Sequence, residues 1–197
     1  MKISPLIFLP LMIIGLYCSK NNEREKMRKQ FDDYFKALNE HEIEKILSFL
    51  SDDFQLHFTE YDFKIDKNGL VDVLGWDKGV NGVVSYENLE VAGDCIKGIF
   101  TERNEFFKLL DIQELKATIT YKFDNSRLIV KQIYAPLPNQ PSFQENMQPA
   151  IDWASTNRPD ELNEIYPDNQ MQFNQEMAER WVALLKEWRK ATQAERK

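Results

Sequence analysis

The stretch Phe31–Phe58, FDDYFKALNEHEIEKILSFLSDDFQLHF, constrains the fold more than any other part of the chain, because its hydrophobic period changes within one short run. Met27, Phe31, Tyr34, Phe35 and Leu38 fall at i, i+4, i+7, i+8 and i+11. That spacing stacks them on one helical face, with Arg28, Lys29, Asp32, Asp33 and Lys36 mostly outside it. Asn39 stands where a break is expected, since its side chain can satisfy a free helix-end group. Ile43, Ile46, Leu47 and Leu50 make the stripe of a second, short helix, which Ser51-Asp52-Asp53 interrupts. Phe54, Leu56 and Phe58 then alternate with Gln55, His57 and Thr59, the period of a half-buried strand. The same alternation turns His57 to the face opposite Phe58.

The chain around this stretch has 197 residues, 43% of them hydrophobic and four of them Trp, which fits one cored domain with extensions. Its formal net charge is -7, with both signs interspersed. No basic stripe exists to neutralise phosphates, so nucleic acid is excluded as a partner.

Residues 1–17 read as a targeting segment. Lys2 supplies a positive start, and the apolar run Ile3–Tyr17, broken by Ser4, Pro5, Pro10 and Gly15, is short for a membrane span. Cys18 follows, then a polar tether over 18–23. An apolar run ending at one Cys resembles a bacterial lipoprotein signal, which implies lipid on Cys18, a membrane attachment through it, and a folded part facing outside the cytoplasm in the cell envelope. Tyr17 stands at the cleavage position where that signal has small residues. The alternatives are an uncleaved anchor or an ordinary secretory signal, the latter giving a secreted or periplasmic protein. With Cys18 lipidated, Cys95 is left alone in a strand, as a small buried hydrophobe. A Cys18–Cys95 bridge is the other reading.

Downstream, Asp66–Val80 predicts a third, irregular helix and loop around three glycines. Asp66-Lys67-Asn68-Gly69 has part of a calcium loop but lacks its acidic spacing and closing Glu, so it reads as a helix N-terminal turn. Val83–Val91 and Asp94–Phe106 read as strands joined at Ala92-Gly93-Asp94. On the second of these, Ile96, Gly98, Phe100, Glu102, Asn104 and Phe106 share one face. That face is apolar with two polar interruptions, so it points inward. Burying Glu102 without a partner costs several kcal/mol on the order expected for a lone charge, so it is paired, near an opening, or protonated. Glu102 and Asn104 are therefore the polar pocket candidates, with Phe100 beside them. Phe107–Ile112 reads as a short apolar connection. Leu115–Phe123 is a clean amphipathic strand, Asp124-Asn125-Ser126 a turn, and Leu128–Ala135 the return strand. Pro136, Pro138 and Pro141 mark a boundary. Beyond it the chain turns helical, ending in Phe173–Thr192, where Met177, Trp181, Leu184, Leu185 and Trp188 form a stripe read as core.

The run DYFKALNEHEIEKILSFLSDDFQLHF resembles the opening of the nuclear transport factor 2-like superfamily, the SnoaL-like and ketosteroid-isomerase-like cones. The resemblance spans Glu23–Pro136. It implies an α+β fold in which a curved, mostly antiparallel sheet wraps the N-terminal helices around a pocket, with the cone over 24–136 and a helical extension over 137–197. In the isomerase-like members a Tyr on the first helix donates to a developing oxyanion, a carboxylate on the first strand moves the proton, and a second acid assists. Matched to this chain, those roles fall on Tyr34, Phe58 and Ile119. Only the tyrosine is retained, because Phe cannot accept a proton and Ile cannot donate one. The Asp52-Asp53 pair corresponds to a helix-to-strand corner where capping is the role.

Tyr34, Phe58, Phe100, Glu102, Asn104 and Ile119 are thus the expected ligand-facing set. No cofactor or metal site is expected: His41, placed at a helix start and solvated, and His57 are the two histidines, and no cysteine cluster accompanies them. The first functional expectation is a non-catalytic, lipid-anchored cone that binds a small, largely apolar ligand or a protein partner. The second is a SnoaL-like or isomerase-like enzyme with a rearranged site of Tyr34, Glu102 and Asn104. The third is an interaction protein that uses the C-terminal helices. A homodimer through the open sheet face is compatible with each.

Overall fold

The structure, a computed structural model, describes residues 10–194. The leading part of the expected targeting segment, residues 1–9, lies outside them, as do the side chains of residues 10–22, with Cys18 among them. Among the described residues no helix is long and apolar enough to cross a membrane.

Helix α1 (Pro10–Asn39) is followed by α2 (Ile43–Ser48), β1 (Leu50–Phe58), β2 (Phe63–Asp66) and α3 (Lys67–Gly79). Then come the hairpin β3 (Val83–Ala92) and β4 (Cys95–Arg103), helix α4 (Glu105–Leu109), and the hairpin β5 (Leu115–Phe123) and β6 (Ile129–Pro136). Helices α5 (Phe143–Asn157), α6 (Pro159–Ile165) and α7 (Gln175–Ala194) close the chain. The backbone of the polar tether is part of α1.

The strands form one six-stranded sheet in the order β2-β1-β6-β5-β4-β3. Neighbours run antiparallel except β1 and β6, which are parallel, so the sheet is mixed. Register shifts between Leu50 and Gln55, Glu87 and Glu90, and Lys122 and Phe123 bend and twist it, as bulges do. Cross-strand partners share a face, so Tyr86, Phe100, Ala117 and Pro136 form one inward row, and Gly98, Ile119, Tyr134 and Phe58 the next.

The apolar stripe of α1 fills the concave side. Phe31 is fully buried and has Phe35, Tyr86, Phe100 and Tyr121 within 6.3 Å between ring centroids. Asn39 ends the helix in an unforeseen way. Its Oδ1 accepts from Val84 N at 2.8 Å and its Nδ2 donates to Val84 O at 3.0 Å, so the side chain stands in for a strand partner and clips the helix end to β3.

Several boundaries differ from expectation. Leu50 and Ser51-Asp52-Asp53 belong to β1, not to a helix stripe and its cap. They form the bulged start of the strand, with Lys67 Nζ donating to Leu50 O at 3.0 Å and pairing with Asp52 at 3.5 Å. The short edge strand β2 carries no alternation long enough to read. Strand β4 stops at Arg103 because Asn104 caps α4, accepting from Phe107 N at 2.7 Å. Phe106 and Phe107 therefore sit on a helix turn. Cys95 is half-buried rather than fully buried and has no disulfide partner among the described residues; the side chain of Cys18, and with it the alternative bridge, lies outside them. The expected helix N-terminal turn is formed: Asp66 Oδ1 accepts from Gly69 N at 2.9 Å.

Helix α3 is regular, and Gly75 and Gly79 are packing residues on it. A Cβ on Gly79 would come within 2.6 Å of Ala178 Cβ and 2.8 Å of Gln175 O. The bare backbone lets α7 cross α3 in close contact. Around that crossing lies a second core, in which Val80, Phe106, Leu110 and Ile112 from the cone meet Met147, Ile165, Trp181, Leu185 and Trp188 from the extension. The Trp181 and Trp188 stripe is core, as expected. Polar ties fix the extension further: Gln140 Oε1 accepts from Lys116 N at 2.7 Å, Asn146 Nδ2 donates to Leu110 O at 2.9 Å, and Arg189 Nε donates to Leu109 O at 2.6 Å.

Candidate functional site: the cone interior and the cleft at its rim

Phe58, Phe100, Glu102 and Ile119 share the concave face of the sheet, Tyr34 packs against it from α1 and Asn104 caps α4, but the set does not form one pocket. Tyr34 and Phe100 are each 2% exposed and belong to the sealed aromatic core. Tyr34 packs on Tyr121 with ring centroids 5.6 Å apart, and the two hydroxyls interact. Burial raises both phenols above their ordinary value, so both stay protonated. Ile119 is buried one strand away, and Phe58 is half-buried at the end of β1, between Phe63 and Tyr134. This part of the interior is thus filled by its own side chains.

Glu102 and Asn104 stand where β4 ends and α4 begins. Asn104 is 8% exposed and divides its amide between two tasks. Its carbonyl oxygen caps α4, which forces its Nδ2 toward Glu102 Oε1 at 2.8 Å. Glu102 gains that neutral donor and no basic one. Burial first, and the negative charge of Asp77 second, push its carboxyl from the ordinary 4.5 up to about 7, against the Asn104 bond, which lowers it.

Asp77 escaped the sequence reading although a signal existed. Leu70, Leu74 and Asp77 fall at i, i+4 and i+7, so the carboxyl sits on the buried stripe of α3. It folds back over Gly82, where a Cβ would meet its Oδ1 at 1.7 Å, and burial pushes it up to about 6. Its neighbour is His41, which is half-buried rather than fully solvated: it occupies a left-handed turn at φ 53, with Nδ1 3.3 Å from Asp77 Oδ2. An ion pair would raise the histidine and lower the acid. Burial, with Lys78 nearby, instead lowers His41, so desolvation outweighs the attraction at this contact. His57 lies on the outer face against Asp62, at 2.9 Å, as its alternation required. Among the described residues no cluster of His, Cys, Asp or Glu could hold a metal ion.

The open space lies at the rim. A cleft of about 1060 Å³ separates the sheet from the helical extension. Leu115 and Tyr134 form its inner wall, Glu60 and Tyr61 one lip, and Phe143, Met147, Tyr166 and Met171 the outer wall. The six expected residues do not line it. Tyr134 connects it with the interior, because its phenol, pushed up to about 12 by burial, also feels the charges of Glu102 and Glu60. The alternation of Gln132, Tyr134 and Pro136 in the return strand could have identified this residue. The outer wall could not be found the same way, since it depends on where the extension folds back.

No protein-family model matches the chain, and no curated protein does. Solved structures resemble it at low identity. AclR from Streptomyces galilaeus, a candidate hydroxylase, is 11% identical with a TM-score of 0.50, over 63% of this chain and 97% of AclR. A candidate ketosteroid isomerase from Kribbella flavida is 14% identical with a TM-score of 0.47, over 62% of this chain and 87% of that one. A nuclear transport factor 2-like protein of unknown function from Cytophaga hutchinsonii is 11% identical with a TM-score of 0.46, over 57% and 90%. The likeness to AclR is one of fold alone: a curved mixed sheet wrapped on helices. Such a fold carries many chemistries and specifies none.

Proposed function

We propose that the protein is a non-catalytic binding protein of the cell envelope, held to the membrane by lipid on Cys18, that takes a small, largely apolar ligand into the rim cleft. One observation carries the binding reading. A space of about 1060 Å³ has the concave face of the sheet as one wall and the helical extension as the other. It is slightly larger than the roughly 300–1,000 Å³ usual for small-molecule sites. The non-catalytic reading is supported by Phe58 and Ile119, apolar residues at the positions where the resemblance puts a base and a second acid. The address rests on the apolar run that ends at Cys18.

Native mass spectrometry of the purified protein, after incubation with a hydrophobic ligand mixture, tests the binding reading. The wild type is expected to retain a ligand, Leu115→Met to retain it, and Leu115→Trp to lose it, because the indole would fill the inner wall. Retention unaffected by the tryptophan, or no retention at all, would reject the cleft. Metabolic labelling with an alkynyl fatty acid tests the anchor. The label is expected on the wild type and absent from Cys18→Ser; an unlabelled wild type removes the lipoprotein reading.

A second reading is favoured by one feature, the Glu102 carboxyl poised at about 7 and aimed by Asn104. Proton-transfer catalysis suits such a group. It predicts a turnover that Glu102→Gln abolishes while ligand retention survives.

A further inference from the structure

This inference rests on the cleft being a binding site and concerns the charge of what binds there. The cleft lining holds no lysine, arginine or histidine. An anion entering it would leave water without gaining a counter-charge. The acidic groups are arranged oppositely. Glu60 stands on the lip. Glu102 lies behind the inner wall, beside Leu115 in the β4–β5 ladder and on the same face. Tyr134 lies within electrostatic reach of both carboxyls. Glu102 takes its hydrogen bond from the uncharged Asn104 amide, so its charge has no internal partner. Tyr61 and Tyr166 add aromatic surface, and Phe143, Met147 and Met171 add apolar surface.

We propose that the cleft selects organic cations: an amine-bearing apolar molecule whose ammonium group sits at Tyr134 between Glu60 and Glu102, with its body against the outer wall. The aromatic face attracts the cation, Glu60 on the lip accepts its N–H groups, and Glu102 attracts it as a charge from behind the wall. Burying Glu102 without a partner is costly in the free protein, and this ligand supplies the missing charge.

The probes are 4-phenylbutylamine, 4-phenylbutanol and 4-phenylbutyrate, which share a body and differ in head charge. They are titrated into the full chain at pH 8, where Glu102 is mostly ionised, by calorimetry and by ring-proton shifts of Tyr134. The amine is expected to bind roughly tenfold to a hundredfold tighter than the alcohol, as a charge-assisted hydrogen bond allows, with the acid weakest. Glu102→Gln should bring amine and alcohol within about threefold of each other by weakening the amine, and the alcohol should still move the Tyr134 ring-proton signals, which reports that the cleft is intact. Glu60→Gln, at the exposed lip, should weaken the amine alone. Alcohol or acid binding as tightly as the amine, or an amine preference that survives both glutamine variants, overturns the inference and leaves the cleft reading standing. If none of the three probes moves the Tyr134 signals, both fail.

Discussion

Trp181→Ala should lower the stability of the whole protein by about 3–5 kcal/mol, the cost of removing a large aromatic from a core that cannot collapse onto the gap. Trp181 is 0% exposed. Phe106 of α4 and Tyr166 of the extension stand edge-on to it, at 6.1 and 5.7 Å. The indole therefore joins the segment between β4 and β5 to the C-terminal helices. Its Nε1 is buried without a hydrogen-bond partner, so the loss on truncation is packing alone. Trp181→Phe keeps most of the ring and removes that unpaired donor, and should cost far less, on the order of 1–2 kcal/mol. Urea titration gives both numbers. Hydrogen exchange should show the amides of α7 losing protection before those of β4 and β5, because the cone keeps its own core around Phe31. Equal costs for the two substitutions would mean that Trp181 does not act as a packing residue.

That experiment bears on how much of the molecule could be read from the chain. The α1 stripe, the strand alternation through Phe58, both later hairpins and the Trp181–Trp188 stripe were legible because each is a local period. The ends of elements were not. Nothing local says that Asn39 will pair with the backbone of Val84, or that Asn104 will end β4 by capping α4; both depend on a partner from elsewhere in the chain. The glycines of α3 misled for a related reason. Taken alone they signal a weak helix, but Gly79 is there because Ala178 comes within 2.6 Å of where its Cβ would stand.

The site divides in the same way. Glu102 was found because a carboxyl on an apolar strand face is anomalous wherever the strand ends up. Asp77 is anomalous by the same rule, on the Leu70–Leu74 stripe, and was hidden by the glycines that made the helix look irregular. Tyr34 keeps the position that the resemblance assigns it, yet its hydroxyl faces Tyr121 inside a sealed aromatic cluster. A position inherited from a family opening therefore does not place a residue at an opening. The cleft brings Glu60, Leu115, Tyr134 and Met147 together from four separate segments. Such a surface comes from tertiary docking and has no period to read.

Glu102→Gln should make the protein more stable at alkaline pH and change the shape of its pH profile. The folded-state pKa of about 7 lies above the ordinary 4.5. Between those values the folded chain holds a proton that the unfolded chain has released, so stability falls as pH rises. The favourable contribution is complete below about pH 4.5 and lost above about pH 7, and the loss is about 3 kcal/mol for a shift of that size. Asp77, raised from 3.8 to about 6, adds a similar slope in the window below. Glutamine keeps the acceptor for Asn104 Nδ2 and nearly the same volume, but cannot ionise. Wild type and variant should therefore be close in stability below about pH 4.5 and diverge between about pH 4.5 and 7, with the variant ahead by about 3 kcal/mol at pH 8. Its remaining decline, between about pH 4 and 6, then belongs to Asp77. Urea titrations at four pH values across this range measure the difference directly. Two profiles that run parallel from pH 5 to 8 would mean that Glu102 is solvated in the folded protein. The unpartnered charge behind the cleft wall, and the cation selectivity argued from it, would go with that result.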